Sequence, residues 1–148
     1  MHVKRNTRMD LIIDASIAIA WFVDQPLSPQ ALRLAELHTP LLALDVLPVE
    51  MASSAWRLAQ ERTITADYAA HIVSNITVNE ISVCASAPYI VPATHLALSL
   101  QHPVSECLYL ACARDIGGQM VTTNARLLAA VKGTEADPFV CHLRDIVP

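Results

Sequence analysis

Short apolar runs alternate with helical segments along this chain, and that alternation constrains the fold more than any other feature. Runs such as Leu11-Ile12-Ile13 are continuously apolar, which is typical of strands covered on both faces. The predicted strands occupy residues 11–13, 41–44, 81–83, 120–122 and 139–142. Caps, breakers and helical spacing predict helices over residues 15–23, 30–37, 48–62, 65–76, 93–100, 105–115 and 125–131. We therefore expect an α/β fold, a three-layer α/β/α sandwich with a central parallel sheet of four to five strands.

Length and composition bound the class of protein. The 148 residues fit one domain, which we assign to residues 9–148. Residues 1–8 are interpreted as a short disordered leader, with Met9 as an alternative start. Apolar residues make up 53% of the chain and charged residues 16%, so apolar surface is left for a partner. Every apolar stretch is interrupted before the roughly 18 residues that a membrane span needs.

The cysteines, the net charge and the histidines exclude several kinds of site. The four cysteines form no C-x-x-C pair, so we expect reduced thiols and a cytoplasmic protein. A net charge of -4 argues against a broad basic surface for nucleic acid, although single arginines remain available to bind phosphate. The histidines are dispersed, and we assign surface or structural roles to His38, His71, His95, His102 and His142.

Four polar side chains stand beside predicted helix starts: Asp14, Glu50, Glu106 and Asn124. Each has an ordinary structural explanation, since Asp and Asn are favoured caps and first-turn Glu is stabilised by the helix dipole. Three of them, however, follow different strands and meet at one sheet edge. Two carboxylates about 4 Å apart repel by roughly 4 kcal/mol at an effective dielectric near 20, and a cation reverses that cost. The clustering therefore indicates a divalent-cation site.

Four segments carry a resemblance to a known family. They are Ile13-Asp14-Ala15-Ser16, Pro48-Val49-Glu50, HPVSECLYLACA at residues 102–113 and VTTNARL at residues 121–127. In order and spacing they resemble the PIN-domain ribonucleases, specifically the VapC-type toxins of toxin-antitoxin pairs. The resemblance spans nearly the whole chain from Met9 onward.

The resemblance implies a PIN-like fold and an RNA-cleaving site that binds magnesium or manganese (Mg2+ or Mn2+). By position it makes Asp14, Glu50, Glu106 and Asn124 catalytic, with Ser16 and Thr122 as supporting hydroxyl residues. Asp14, Glu106 and Glu50 would be the metal ligands, and Glu50 would also orient or deprotonate the attacking water. Asn124 would position water or a phosphate oxygen. A small cognate antitoxin and a homodimer are the implied partners, beside the RNA substrate.

Two departures from the family pattern keep an alternative open. The third acid is usually aspartate, and Glu106 places its carboxylate one methylene further out. The fourth position is also usually aspartate, and Asn124 keeps an oxygen but loses a charge. A catalytically weakened PIN-like module that binds antitoxin or RNA therefore remains the alternative. Other phosphate enzymes fit less well, because Ser16 stands where a haloacid-dehalogenase-type phosphatase needs aspartate and the G-x-G-x-x-G turn is absent.

The neutrality of Asn124 generates a prediction. Asn124→Asp adds a charged oxygen ligand, so we expect Mn2+ affinity to rise by about tenfold, the size of a modest outer-sphere effect. A Mn2+ titration of both proteins measures it. Equal or weaker affinity in the variant would remove position 124 from the site.

Overall fold

A computed structural model describes residues 9–37, 40–76 and 81–148. The leader expected at residues 1–8 lies outside the described residues. The strands are β1 Leu11–Ile13, β2 Leu41–Leu44, β3 Ile81–Cys84, β4 Gln119–Thr122 and β5 Val140–His142. The helices are α1 Ala15–Ile19, α2 Ser28–Leu37, α3 Leu47–Gln60, α4 Ala66–Ser74, α5 Ile90–Leu100, α6 Val104–Ile116, α7 Ala125–Val131 and α8 Leu143–Ile146.

The five strands form one parallel sheet in the order β3-β2-β1-β4-β5. At its centre, Ile12 pairs with Leu42 on one side and Met120 on the other. The chain builds outward from β1 to β3, then crosses back to add β4 and β5 beyond β1. In open α/β sheets such a reversal opens a ligand crevice at the carboxyl ends of the strands. The predicted α/β/α sandwich is confirmed, with the crevice between β1 and β4.

The core lies on both faces of the sheet because side chains along a strand alternate in direction. Leu11 and Ile13 belong to the cluster that contains Ile17 of α1, whereas Ile12 belongs to the opposite cluster with Tyr109 of α6. Seven successive residues of α6, from Cys107 to Ala113, are buried, so this helix is surrounded by the core. None of the described helices is long and apolar enough to span a membrane.

Several predicted helix boundaries are wrong. The first helix ends at Ile19 instead of residue 23, because the chain tightens into turns in which Ala20 N donates to Ile17 O and Phe22 N to Ile19 O. The helix expected from residue 93 begins at Ile90. Its Pro92 lies in the first turn, where a missing N–H costs nothing.

Two further differences have simple causes. Helix α2 begins at Ser28, two residues earlier than predicted, with Pro29 tolerated in its first turn. The four-residue α8 was missed, because a segment of one turn is too short for helical periodicity to show. Its Leu143 is completely buried, so packing rather than propensity holds it.

Two adjacent glycines connect α6 to β4 under different constraints. Gly117 ends α6 with φ +68, and a Cβ there would meet nothing within 4 Å. At Gly118 a Cβ would lie 2.4 Å from the carbonyl oxygen of Asp10. That oxygen accepts the Gln119 N–H at 2.9 Å, the bond that opens the pairing of β1 with β4. Gly118 is therefore required for the close approach of the two strands that flank the crevice.

These neighbours form a matched pair for a stability test. Gly118→Ala should lower the free energy of unfolding by about 3 kcal/mol, because backbone must move to relieve the overlap. Gly117→Ala introduces only left-handed strain and should cost about 1 kcal/mol. Urea unfolding of both variants gives the comparison. Equal losses would show that the approach of Asp10 does not constrain position 118.

Candidate active site

Asp14 directly follows β1 and caps α1. Its Oδ1 accepts hydrogen bonds from Ser16 N at 3.0 Å, Ser16 Oγ at 2.5 Å and Ile17 N at 3.4 Å. The residue is 5% exposed. Aspartate is a preferred cap because its carboxylate satisfies the first free N–H groups of a helix. The carboxylate is therefore held at the carboxyl end of the central strand.

Thr122 ties this carboxylate to the neighbouring strand. Its hydroxyl, completely buried at the end of β4, donates to Asp14 Oδ2 at 2.5 Å. Ser16 Oγ in turn accepts the Thr123 N–H at 3.1 Å. The two predicted supporting residues, Ser16 and Thr122, thus contact Asp14 directly and join the ends of β1 and β4.

Glu50 lies in the first turn of α3, after β2. Its Oε1 accepts a hydrogen bond from the Tyr109 hydroxyl at 2.5 Å. Tyr109 is completely buried on α6, and burial together with the charge of Glu50 raises its pKa, so the hydroxyl keeps its proton and donates. We did not identify Tyr109 from the sequence. Its spacing of three residues from Glu106, on the same helix face, was the available signal.

Glu106 lies in the first turn of α6 and is held at both carboxylate oxygens. Oε1 accepts from Asn124 Nδ2 at 2.7 Å, and Oε2 contacts His102 Nε2. His102 is 7% exposed, four residues before Glu106. Of the surface or structural roles assigned to His102, the contact and its burial fit the structural one. His102 lies just before α6, which begins at Val104, and Glu106 lies in the first turn of that helix. Their spacing of four residues was the signal available in the sequence.

Asn124 has a different orientation from the one that the sequence suggested. Its Oδ1 caps α7 by accepting from Arg126 N at 3.0 Å and Leu127 N at 3.1 Å. The amide nitrogen is the end that reaches Glu106. The oxygen that we expected to position water or phosphate is thus engaged by the helix, and the side chain acts as a donor toward the carboxylate. Asn124→Asp would remove this donor, so the gain in Mn2+ affinity expected from the sequence alone is opposed by the loss of the hydrogen bond to Glu106.

All four predicted residues line one open cavity of about 520 Å³, together with Arg57 of α3. Burial raises the pKa of Glu50, and the negative charges of Asp14 and Glu106 raise it further, while the Tyr109 hydrogen bond opposes the rise. Burial also raises the pKa of Asp14, against the hydrogen bonds from Ser16 and Thr122. Asp14 and Glu106 are therefore close enough for their charges to affect the ionisation of Glu50.

A larger cavity, about 950 Å³, lies between α5, the end of α6 and the loop after α7. It contains no comparable group of carboxylates. Asp115, at its wall, accepts a hydrogen bond from the Tyr89 hydroxyl at 2.8 Å. Chemistry, not volume, thus identifies the smaller cavity as the candidate active site.

Comparison with known proteins bears on this site. The chain is 29% identical over 121 residues to Ribonuclease VapC3 of Pyrobaculum aerophilum, covering 80% of this chain and 92% of that protein. This chain is a relative of a VapC ribonuclease. The resemblance to VapC-type ribonucleases found in the sequence is thereby confirmed. No protein-family model matches the chain.

Solved structures share the three-layer α/β fold of this chain. The crystal structure of PAE2754 from Pyrobaculum aerophilum matches with a TM-score of 0.68 at 17% identity, covering 93% of this chain and 86% of that one. A toxin-antitoxin complex from Klebsiella pneumoniae matches with a TM-score of 0.59 at 15% identity, covering 90% and 98%. At these identities the likeness concerns the fold alone.

The VapC resemblance implies a bound metal, and the side chains of the cavity show which donors are available for it. Among residues 9–37, 40–76 and 81–148, no three His, Cys, Asp or Glu side chains form a ready metal-binding cluster. The chemistry of the donors nevertheless fits a hard cation, because Asp14, Glu50 and Glu106 offer carboxylate oxygens to one cavity and the first and third disfavour the charge of Glu50. Metal ligation by these three residues stays a prediction.

Burial of Glu50, with the nearby charges of Asp14 and Glu106, predicts a pH-dependent stability of the metal-free protein. Folding raises the pKa of Glu50, so its ionised form destabilises the native state. That destabilisation is complete above the folded-state pKa and absent below the ordinary glutamate value of 4.5. In EDTA, Glu50→Gln should raise the free energy of unfolding at about pH 8 and leave it unchanged at about pH 4.

Glu61→Gln is the matched control, because Glu61 is an exposed acid just after the same helix. It should change stability little at either pH. Chemical unfolding in EDTA measures both variants. A Glu50→Gln protein that gains nothing at the higher pH would show that burial and the nearby charges do not destabilise ionised Glu50.

Proposed function

We propose that this chain is a divalent-metal-dependent endoribonuclease that acts as the toxin of a toxin-antitoxin pair. Its similarity to Ribonuclease VapC3 supports the nuclease, and its VapC-like fold is shared with a toxin-antitoxin complex from Klebsiella pneumoniae. One observation carries the proposal. Three carboxylates from separate elements line one open cavity at the point where the strand order reverses.

The cavity can receive an RNA phosphate despite its acidic wall. Glu50 and Arg57 are two helical turns apart on α3, and Ser53 and Ser54 line the cavity between them. Arg57 is exposed. Guanidinium groups bind phosphate oxygens through two parallel hydrogen bonds, and hydroxyl groups add further donors. We assign the phosphate of the RNA backbone to this stripe, next to the carboxylates.

The residues that would hold magnesium or manganese are Asp14, Glu106 and Glu50. Such an ion would stabilise the negative charge that develops on the phosphate oxygens during hydrolysis. Asp14 is fixed for this task by Ser16 and Thr122. The proposed metal role thus uses oxygen donors whose mutual repulsion a cation would relieve.

Glu50 is the group that we assign to the attacking water. Tyr109 holds its Oε1, whereas no described residue donates to its Oε2. Burial and the nearby charges raise its pKa, which makes the carboxylate a better proton acceptor near neutral pH. Glu50 would therefore orient and deprotonate the water that attacks phosphorus. Asn124 would keep the Glu106 carboxylate in place through its amide nitrogen.

Exposed apolar side chains favour protein partners. Val49 of α3 lines the cavity and is 69% exposed, and Trp56, two turns further along the same helix, is 64% exposed. An antitoxin segment that covered both would also block the carboxylates. Val91 and Leu98 of α5 are 65% and 74% exposed on another helix, and we assign them to a homodimer contact. The four cysteines are free, which fits the proposed cytoplasmic location.

Cleavage of single-stranded RNA tests the proposal. Wild type should cut in Mn2+, stop in EDTA and recover when Mn2+ is restored. Asp14→Asn should abolish the activity, and Glu50→Gln should lower kcat by roughly 100- to 10,000-fold, the range expected for loss of a general base. Glu61→Gln, which removes an exposed acid from the end of the same helix, should cut like wild type.

The same assay decides the alternative. The orientation of Asn124, whose oxygen caps α7, is the observation that keeps a weakened binding module under consideration. Equal background cleavage in wild type and Asp14→Asn would contradict the nuclease and favour that module.

A further inference from the structure

Each carboxylate in the cavity is held by a different kind of donor. Asp14 accepts from the hydroxyls of Ser16 and Thr122, and Glu50 accepts from the phenol of Tyr109. Glu106 is held by nitrogen donors on both oxygens. An ionised carboxylate can only accept, so the imidazole nitrogen that faces it carries a hydrogen. Of these donors, His102 and Tyr109 belong to none of the positions that the VapC resemblance marks as catalytic or supporting, and His102 is the one that contacts Glu106.

His102 is built into the junction between α5 and α6. The preceding Gln101 has φ 54, a left-handed conformation that is strained for a residue with a side chain. This conformation ends α5 and lets His102 N donate to Ala97 O at 3.1 Å. Pro103 follows directly as the cap residue of α6. The backbone of His102 is thus constrained on both sides, and the residue is 7% exposed, unlike a histidine that meets an acid by chance on the surface.

The length of Glu106 explains why such a donor is needed. Compared with aspartate, glutamate has one more rotatable bond, and fixing a glutamate side chain costs up to about 2 kcal/mol of rotamer freedom. With Asn124 on one oxygen and His102 on the other, the carboxylate is restrained at both ends. Each oxygen keeps a second lone-pair direction free for another partner. The two donors therefore preorganise a carboxylate that would otherwise sample several rotamers.

We propose that His102 is a positioning residue of the nuclease site, which orients Glu106 toward the metal and the RNA phosphate through the Nε2–Oε2 contact. The proposal rests on the function proposed above. His102 itself touches no reacting atom. Partners of this kind orient ligands, and their loss typically costs about 10- to 100-fold in metal affinity or activity.

Substitutions at His102 separate positioning from packing. His102→Leu keeps volume but removes the donor, and we expect Mn2+ affinity to fall about tenfold. We also expect kcat for RNA cleavage to fall while KM for RNA stays unchanged, because the phosphate stripe on α3 is untouched. His102→Gln should recover most of both losses, since an amide nitrogen can replace Nε2 as the donor to Glu106. His95→Leu, an exposed histidine on α5, is the matched control and should equal wild type.

Calorimetric Mn2+ titration, steady-state cleavage and thermal unfolding are measured on all four proteins. A folded His102→Leu protein with wild-type affinity and kcat would overturn the positioning role. So would a His102→Gln protein as impaired as His102→Leu, because the loss would then follow packing instead of the hydrogen bond.

A measurement on the wild type covers the case in which His102→Leu does not fold. Addition of Mg2+ should shift the ¹⁵N resonance of His102 Nε2 together with the amide of Ser16, which hydrogen-bonds to Asp14. A shift at Ser16 with none at His102 would contradict the proposal.

The proposed function and the role of His102 fail in different ways. Wild type that binds Mn2+ but leaves RNA intact would defeat the nuclease, while the affinities of the His102 variants would still test positioning. Active wild type with an equally active, folded His102→Leu protein would defeat positioning alone. Wild type that binds no Mn2+ would defeat both.

Discussion

Burial of the Asp14 carboxylate between β1 and β4 is the constraint on which the site depends. A charge at 5% exposure is costly unless its oxygens are hydrogen-bonded. The donors that satisfy it come from the first turn of α1 and from Thr122 at the end of β4. Satisfying the charge therefore also fixes the two segments that flank the crevice. The close approach of Gly118 to Asp10 serves the same pair of strands from their other end.

Hydrogen bonds hold the carboxylates of the site in place, whereas burial and neighbouring negative charges disfavour the ionised form of Glu50. Burial raises the pKa of Glu50, and the charges of Asp14 and Glu106 raise it further, which means that the folded chain disfavours the ionised form of Glu50. Sites that a fold supports at the expense of its own stability are characteristic of function. Tyr109, buried in the core helix α6, is one way in which the fold offsets that cost at Glu50.

Much of this arrangement could be predicted from local patterns. The segments that end at Ile13 and Thr122 are short and strongly apolar, which predicts strands. The positions of the strands along the chain, and the polar residue that follows each, could therefore be predicted. The end of α1 and the start of α5 could not, because tight turns follow Ile19 and a proline lies within the first turn of α5, and both override simple helical spacing. The contacts of His102 and Tyr109 with the carboxylates could not be predicted for a related reason. Histidine before a helix and tyrosine within one are common, and nothing local shows which carboxylate they meet.

The sequence by itself determined the layered α/β fold and the identity of the acids, since hydrophobic periodicity and the residues after each strand are local properties. Only the tertiary structure decided how those acids are held. Asn124 illustrates the difference: its residue type fits both a ligand and a cap, and the free N–H groups of α7 claim its oxygen and turn its nitrogen toward Glu106. Hydrogen-bond direction depends on partners far apart in the chain, and the chain brings them together only when the sheet has formed.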